Sequence, residues 1–422
     1  MVDWKEFKLK DVCDKITVGY VGPMAGEYRD SGIPFLRSRN IKPFKLDYEQ
    51  LKFVDKNFHQ KLKKSELLAG DVVVVRTGYP GTACVIPESL GVANCSDLVI
   101  IRTGKMLNSY FLTAIFNSIF GQKLVAGHLV GVAQQHFNIT VAKELKLKFP
   151  PKKLQDKIAA ILSAYDDLIE NNKRRIALLE KMAEEIYREW FVRFRFPGYD
   201  KVKFKKGVPE GWKAQAIDTI SDEIRKGIKK KDLHGDEKYI GLEHIPRKSI
   251  AIKDYATTDS IKSNKLLFKH QDILFSKIRP YLHKVALSHF DGVCSSDTIV
   301  IRSKNEKYEG FLLFTIFSET FVELATIASK GTKMPRADWD FLKKLELNIP
   351  SDDLLKKFQK IFNEIFTQIE NILKANELLA SSCDMLLPRL ISGKFSVENL
   401  NIKFPPSMLA DEQPEPQEAA HA

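Results

Sequence analysis

Cysteine is scarce and unpatterned. The 422 residues hold five, at positions 13, 84, 95, 294 and 383, and no two form a CxxC pair. An odd, scattered set argues against a disulfide framework and a cysteine-rich zinc site, and it fits a reducing cytoplasm. Long apolar runs are missing. None approaches the ~20 residues of a membrane-spanning helix, and the start, Met1-Val-Asp-Trp-Lys-Glu-Phe7, has no apolar signal core. The expectation is a cytoplasmic chain with no membrane contact. Catalytic signatures are missing too. There is no GxxxxGK[ST] phosphate loop, no GxGxxG, no HExxH and no GxSxG. The nine histidines lack ligand spacing. Phe149-Pro-Pro151 and Phe404-Pro-Pro406 are not the Asn/Asp-Pro-Pro-aromatic motif of amino-methyltransferases. Asp236-Glu-Lys238 echoes a nuclease element but stands in a charged stretch without a partner. Neither catalytic nor metal-ligating residues are assigned, and the chain reads as a binding or scaffolding protein.

What is present is positive charge, unevenly placed. The net charge is +12 and the pI about 9.2. Residues 1–150 carry +7, residues 151–196 carry +2, residues 197–350 carry +7 and residues 351–422 carry −4. Two basic blocks suit a polyanion, because each neutralised phosphate releases counterions. The same balance is also compatible with a merely basic soluble protein. Hydrophobic residues at 44% supply enough apolar surface for packed cores.

The chain repeats itself. Cys95-Ser-Asp-Leu-Val-Ile-Ile-Arg102 aligns with Ser295-Ser-Asp-Thr-Ile-Val-Ile-Arg302, and Leu145-Lys-Leu-Lys-Phe-Pro150 with Leu345-Glu-Leu-Asn-Ile-Pro350. Ile169-Glu-Asn171 recurs as Ile369-Glu-Asn371, and Asp71 and Asp272 each precede an apolar run. Trp4 and Trp212 open similar stretches. A tandem duplication of a unit of ~200 residues follows. The β-branched runs Val72–Val75, Leu98–Ile101, Ile273–Phe275 and Thr298–Ile301 read as buried strands. Tyr110–Phe120 and Phe311–Ala328 read as helices. Each unit then closes with a heptad pattern: Leu154, Ile158, Ile161, Tyr165, Leu168 through Leu179, Met182 and Ile186, and Leu354, Phe358, Ile361, Ile365 through Leu379 and Leu386. Each pattern predicts a helix of ~35–40 residues, or ~50–60 Å.

A long helix with one apolar stripe must bury it. The other copy is the matching partner. Antiparallel pairing is expected, with Asn172, beside Asn171 and Asn371, able to fix the register. The alternative is that each helix packs on its own domain. The expected fold class is α+β: two globular domains separated by two long antiparallel helices in an intramolecular coiled coil with pseudo-two-fold symmetry. The expected boundaries are 1–150 for the first domain, 151–196 for the central helix, 197–350 for the second domain, 351–395 for the C-terminal helix, and 396–422 for a Pro-, Glu- and Ala-containing tail expected to be disordered.

Taken together, these features resemble the specificity (S) subunits of type I restriction–modification systems. The resemblance is carried by the Gly211-Trp212 start, the Asp71 and Asp272 elements, Ser96-Asp97 and Ser296-Asp297. It is also carried by Pro150-Pro151 ahead of a long helix, Trp190-Phe191 through Phe196-Pro197 after it, and Leu386-Leu-Pro-Arg-Leu-Ile-Ser-Gly-Lys394. There are departures. The family usually has a Glu-Gln pair after the proline element. Here Leu154-Gln155-Asp156 keeps the glutamine alone, and the second copy reads Leu354-Leu355-Lys356. The resemblance implies a DNA-specificity subunit without catalysis of its own. Two target recognition domains would each read half of a bipartite, asymmetric duplex target, and the paired helices would set the gap. Two methyltransferase (modification) subunits and the restriction/translocase subunits would be partners, carrying S-adenosylmethionine, ATP and Mg²⁺; this chain would hold no cofactor. Two other functions stay open: a self-contained modification or cleavage enzyme with a divergent site, and a coiled-coil adaptor for protein or RNA.

Base reading favours forked side chains, and phosphate contacts favour Lys, Arg and backbone N–H. In the first domain the candidates are Arg37, Arg39 and Asn40 after an apolar run, Arg76 and Thr77 entering a Gly/Pro loop, and Gln134, Gln135 and His136 after Gly131. In the second they are Lys229, Lys230 and Lys231, then His244, Lys277 and Arg279, and finally Lys330, Lys333 and Arg336. The aspartates of the two Ser-Asp pairs are expected to make or cap turns. Arg174, Glu184, Glu185 and Arg188 on the outward helix face are the candidates for partner contact.

Overall fold

Val72–Val75 is a continuous apolar run because both faces of its strand are covered. Val72 and Val74 point into one core, with Val99 and Ile101 of the neighbouring strand. Val73 and Val75 point into another, with Leu98 and Ile100. Successive side chains of a strand alternate faces, so a strand between two layers reads as unbroken hydrophobicity. The computed structural model describes residues 4–128, 136–331, 334–405 and 408. Packing divides the chain into two units, Met1–Glu170 with Leu378–Ala422, and Asn171–Glu377.

In the first unit the strand Val72–Val75 pairs antiparallel with Leu98–Thr103 and Ala83–Val85, and Cys13–Val18 completes a four-stranded sheet. A second sheet runs Lys52–Val54, Ile33–Leu36, Ala93–Cys95, Glu66–Leu67, with Ile33–Leu36 parallel to Ala93–Cys95. It covers the face bearing Val73 and Val75; helices cover the other. Lys5–Lys8 pairs with Lys146–Phe149, which leads into the first long helix.

The second unit repeats this plan. Ser221–Glu223, Thr298–Ser303, Ile273–Ser276 and Val285–Leu287 form the antiparallel sheet. The partner sheet has five strands, in the order Gly227–Ile228, Lys265–Phe268, Gly292–Cys294, Lys238–Ile240, Ala256–Thr257. Lys213–Ala216 pairs with Glu346–Ile349. In each unit an arginine at the end of one central strand grips the aspartate before the other. Arg102 donates from Nε and Nη2 to Asp71 at 2.8 and 2.9 Å, and Arg302 does the same to Asp272 at 2.7 and 2.7 Å. The recurring Asp and Arg of the repeat are thus one ion pair made twice.

Tyr110–Phe120 and Phe311–Ala328, each read as one helix, are each two. Ser109–Asn117 gives way to Ile119–Ala126, and Glu309–Phe317 to Glu319–Ile327. Ser118 and Ser318 sit at the breaks, extended, and each hydroxyl accepts the third N–H of the following helix, from Gly121 at 3.0 Å and Phe321 at 3.2 Å. A serine that caps a new helix ends the old one. Among the described residues no single helix is long and apolar enough to cross a membrane.

The long helices are Lys152–Tyr187, extended by a π-helical turn over Arg188–Val192, and Asp352–Ile391, whose last turns contain Pro388. In each unit the two helices pair and also pack on the globular part, so both expected arrangements occur together. In the second unit Asn172 donates from Nδ2 to Asn376 Oδ1 at 2.8 Å, and Phe191 lies edge-on to Phe358 at 4.9 Å. One helix ascends in number while the other descends, so the pairing is antiparallel. In the first unit Ile158, Ala159 and Leu162 share a core with Leu387 and Leu390. The polar register pair is Asn172 with Asn376 rather than with Asn371.

The heptad phase differs from the expected one. The buried positions of the first helix are Gln155, Ile158, Ala159, Ala160, Leu162, Ser163, Asn172, Ile176, Ala183 and Tyr187, while Leu168 and Met182 are about half exposed. A helix buried on two sides needs a wider stripe than a coiled-coil seam, and small residues enter where backbones approach. Gln155 lies on that second side. Fully buried, it accepts the Asn108 N–H at 2.9 Å and donates to the carbonyls of Met106 and Pro150. Gln359 does the equivalent work in the other unit, accepting the Gly310 N–H at 2.9 Å and donating to Glu309 Oε2 at 3.1 Å. The glutamine that seems lost from the second repeat is therefore present one turn later, on the same helical face.

Burial, with Glu306 nearby, pushes the Glu309 carboxyl up to about 7. Its ordinary value is near 4.5. The folded state therefore holds a proton that the unfolded chain releases, and stability falls as pH rises from ~4.5 through ~7. Glu309→Gln is expected to flatten that fall and to stabilise this unit at pH 8 by about 1–2 kcal/mol after solvent screening. Melting temperatures of both proteins at pH 5 and pH 8 test it; an unchanged pH dependence refutes it.

Candidate nucleic-acid interface

Strand direction gathers the basic candidates. In the second unit Gly227–Ile228 and Gly292–Cys294 both run antiparallel to Lys265–Phe268, and Lys238–Ile240 runs parallel to Gly292–Cys294. The C-terminal ends of three strands therefore point the same way. Gly227–Ile228 leads to Lys229, Lys230 and Lys231, all exposed, and Lys238–Ile240 to the Gly241–His244 turn. Gly292–Cys294 leads to Ser295 and Asp297. Asp297 opens the strand Thr298–Ser303, and Thr298 stands opposite Ser276, so Lys277 and Arg279 leave the central sheet at this same end. In the first unit Ile33–Leu36 and Ala93–Cys95 run parallel in the same way, delivering Arg37 beside Ser96-Asp97, and Val72–Val75 delivers Arg76 and Thr77.

In each unit the loop after the central strand is joined by backbone hydrogen bonds to a segment further along the chain. In the first unit the Phe137 N–H donates to the Arg76 carbonyl at 3.1 Å. In the second, Arg279 N–H donates to Pro335 O at 2.8 Å, Ala337 N–H to Lys277 O at 2.9 Å, and Lys330 and Arg336 exchange both backbone bonds. The repeated aspartate braces the loop after the central strand in each unit. Asp97, at φ +52°, accepts Arg76 Nη1 at 2.9 Å and Thr77 Oγ1 at 2.6 Å. Asp297 faces Arg336 Nη2 at 3.7 Å, and its carbonyl accepts the Lys277 N–H at 2.8 Å. Non-glycine residues with positive φ are uncommon, and at Asp97 two side-chain bonds help to hold one. Asp297 sits in a turn, as expected, and Asp97 in a bend, but their further work is to brace the loops.

The candidate residues divide by what they touch. Arg39 and Arg279 are exposed, the latter on a left-handed backbone at φ +52°. Arg336 is half exposed, and Lys330 is 81% exposed while bonded to Asp338 at 2.6 Å. Arg37 donates to the Gln50 carbonyl at 2.6 Å and stands over the Tyr28 ring. His244 is half-buried and accepts the Gly241 N–H at 2.9 Å. His136, beside Phe137, is half-buried. Arg76, its side chain only 15% exposed, also donates to the Phe137 carbonyl, so with Thr77 it builds the loop. Asn40 is a correction to the expected readers. It is fully buried, its Oδ1 accepts the Arg37 N–H, and its Nδ2 donates to the Asp47 carbonyl. An amide spent on its own loop has nothing left for a base edge. Gln134, Gln135 and Lys333 lie outside the described residues.

Of the helix candidates, Glu184, Glu185 and Arg188 form one ladder, with Arg188 at 2.7 Å from Glu184 and 3.4 Å from Glu185. Arg193 extends it to Glu185 at 3.7 Å. Arg174 is exposed on the same helix. Sequence reasoning passed over two aromatic loop residues, Tyr79 at 84% exposure and Tyr281 at 53%. The available signal was an aromatic beside Pro in a polar loop, Thr77-Gly-Tyr-Pro-Gly81 and Arg279-Pro-Tyr281. Among the described residues no three His, Cys, Asp or Glu side chains gather as a metal site.

Two like units, each ending in a braced and basic loop face with different side chains, define a duplicated recognition chain. The family model for the type I restriction modification DNA specificity domain matches residues 1–181 and 209–380, and the chain belongs to that family. It is 24% identical over 417 residues to the type I restriction enzyme MjaIX specificity subunit of Methanocaldococcus jannaschii, covering 94% of this chain and 95% of that one. It is 25% identical over 246 residues to the type I restriction enzyme EcoDI specificity subunit of Escherichia coli, covering 54% and 55%. A solved S subunit of the type I restriction–modification system of M. genitalium shares the fold, with a TM-score of 0.55 at 14% identity over 92% of this chain and 96% of that one.

Proposed function

We propose that this chain is the non-catalytic DNA-specificity subunit of a type I restriction–modification complex. Each unit reads one half of a bipartite target, and the paired helices set the gap and dock two methyltransferase subunits. Restriction/translocase subunits complete the assembly. S-adenosylmethionine, ATP and Mg²⁺ belong to those partners. The observation that carries this reading is the braced loop after the central strand, built twice with different side chains: Thr77-Gly-Tyr-Pro-Gly81 in one unit, Lys277-Ile-Arg-Pro-Tyr281 in the other. The same scaffold with different side chains reads different bases, so the two half-sites differ and the target is not a palindrome. Lys229 to Lys231 supply the point charges that phosphate contact requires.

The test is methylation-sensitive sequencing of DNA from cells that express the chain with its partner methyltransferase. The expected result is a gapped, asymmetric motif that disappears when the chain is deleted. Methylation unchanged by the deletion overturns the reading. Duplex binding by the assembled complex is further expected to weaken steeply between ~50 and 200 mM salt.

A further inference from the structure

Each unit holds out one tyrosine from the same loop. Tyr79 follows the strand Val72–Val75 by four residues, and Tyr281 follows Ile273–Ser276 by five. A single exposed aromatic is ordinary on a protein surface. Here the ring recurs at corresponding places of two units whose loop sequences otherwise differ. Both lie at the sheet end where the basic residues gather.

Neither loop is loose. In the first, Val75 N–H donates to Thr82 O at 2.8 Å, Gly81 N–H to Val75 O at 3.0 Å and Thr82 N–H to Tyr79 O at 3.2 Å. Gly78 and Gly81 have φ of +90° and +92°, which lets the chain reverse within four residues. A Cβ at Gly81 would come within 3.1–3.3 Å of Gln122 and Val125, so the returning limb rests on the helix Ile119–Ala126. In the second, Tyr281 stands between two buried anchors, Pro280 and His283. His283 Nε2 lies 2.7 Å from the Phe317 carbonyl, and its backbone accepts the Lys248 N–H at 3.0 Å. The turn is closed by Leu282 N–H to Arg279 O and His283 N–H to Pro280 O, both 2.9 Å.

A braced backbone that holds a ring in water has the chemistry of a stacking contact to a nucleobase. The ordering cost of the loop is met before binding, and a π face is sequence-tolerant while its position is not. We propose that Tyr79 and Tyr281 each stack on a base of the half-site read by their own unit, and so set which step of that half-site must yield. The proposal rests on the DNA-specificity reading above.

The test uses the full chain assembled with its partner methyltransferase, on the cognate duplex with 2-aminopurine placed in turn at each position of both half-sites. The wild-type complex should change the fluorescence at one position in each half. Tyr79→Ala should remove the change in one half only and weaken cognate binding about tenfold; Tyr281→Ala should do the same in the other half. Tyr79→Phe and Tyr281→Phe should keep both signal and affinity, because a stack needs the ring and not the hydroxyl. Alanine variants that bind and report like wild type overturn the proposal, and so do phenylalanine variants as impaired as alanine. A wild-type complex that does not distinguish the cognate duplex from a shuffled one overturns the DNA reading itself, an outcome visible before any variant is examined.

Discussion

Arg302→Met is expected to destabilise the unit Asn171–Glu377 by about 3–5 kcal/mol, because it strands a carboxylate that has no exposure to water. Asp272 is fully buried, while the Arg302 side chain is 37% exposed. The reverse change, Asp272→Ala, leaves an arginine that water still reaches, and should cost less. The Asp272→Leu/Arg302→Met double variant should recover most of the loss, since apolar isosteres of a buried pair are often neutral. Recovery should not be complete, because Asp272 Oδ2 also accepts the Lys269 N–H at 2.7 Å. Denaturation of the full chain reads the effect, with the transition of the other unit as internal reference. A single variant within about 1 kcal/mol of wild type would show that the pair is not holding the strands. The pair matters to recognition through the strands it joins. Asp272 precedes Ile273–Ser276, which Lys277 follows, and Arg302 is next to last in Thr298–Ser303, which Asp297 precedes. Each strand carries its register from the ion pair at one end to the loop at the other, over ~13–20 Å at ~3.3 Å per residue.

The same residues show what a sequence reveals and what it withholds. The duplication, the buried strands and the long helices were legible because each leaves a periodic or repeated trace. Asp71 and Asp272 were visible as a recurrence, and Arg102 and Arg302 ended the aligned runs, but a salt bridge across ~30 positions has no local signature. The single-helix reading of Phe311–Ala328 failed at Ser318, where a cap residue inside an apolar run is the only mark of a break. The heptad phase slipped because a seam was assumed where the helix is buried on two sides, with Ala159 and Ala183 as close-approach residues. Gln359 was missed because its place was fixed by counting from a proline, whereas packing counts turns. Asn40 shows the opposite error. An Asn after an apolar run looks like a base reader, yet Asx side chains also organise their own loops, and only burial separates the two.

The second large effect concerns the loop face. Alanine at Lys277, Arg279 and Arg336 together is expected to lower cognate binding by about 10³-fold or more and to erase discrimination in one half-site only. A well-placed base or mismatch contact is worth ~1–3 kcal/mol, and the loss adds until binding reaches the non-specific level. Arg279 and Arg336 should carry the sequence-dependent part, since a guanidinium can fork onto a guanine edge. Lys277 should act more evenly across sequences, and its removal should shallow the salt dependence by about one unit of slope. Arg336 stands 3.7 Å from Asp297, so Asp297→Ala is the informative companion. It removes the brace without removing a cation. If Asp297 works by fixing the loops, the variant should blur the recognised bases while leaving the salt slope as it was. If the aspartate only tempers charge, binding should tighten on every sequence alike. The measurement is selection of bound duplexes from a randomised half-site, at two salt concentrations, by the complex carrying each variant. Loss in both halves at once would mean that these loops do not read one half-site.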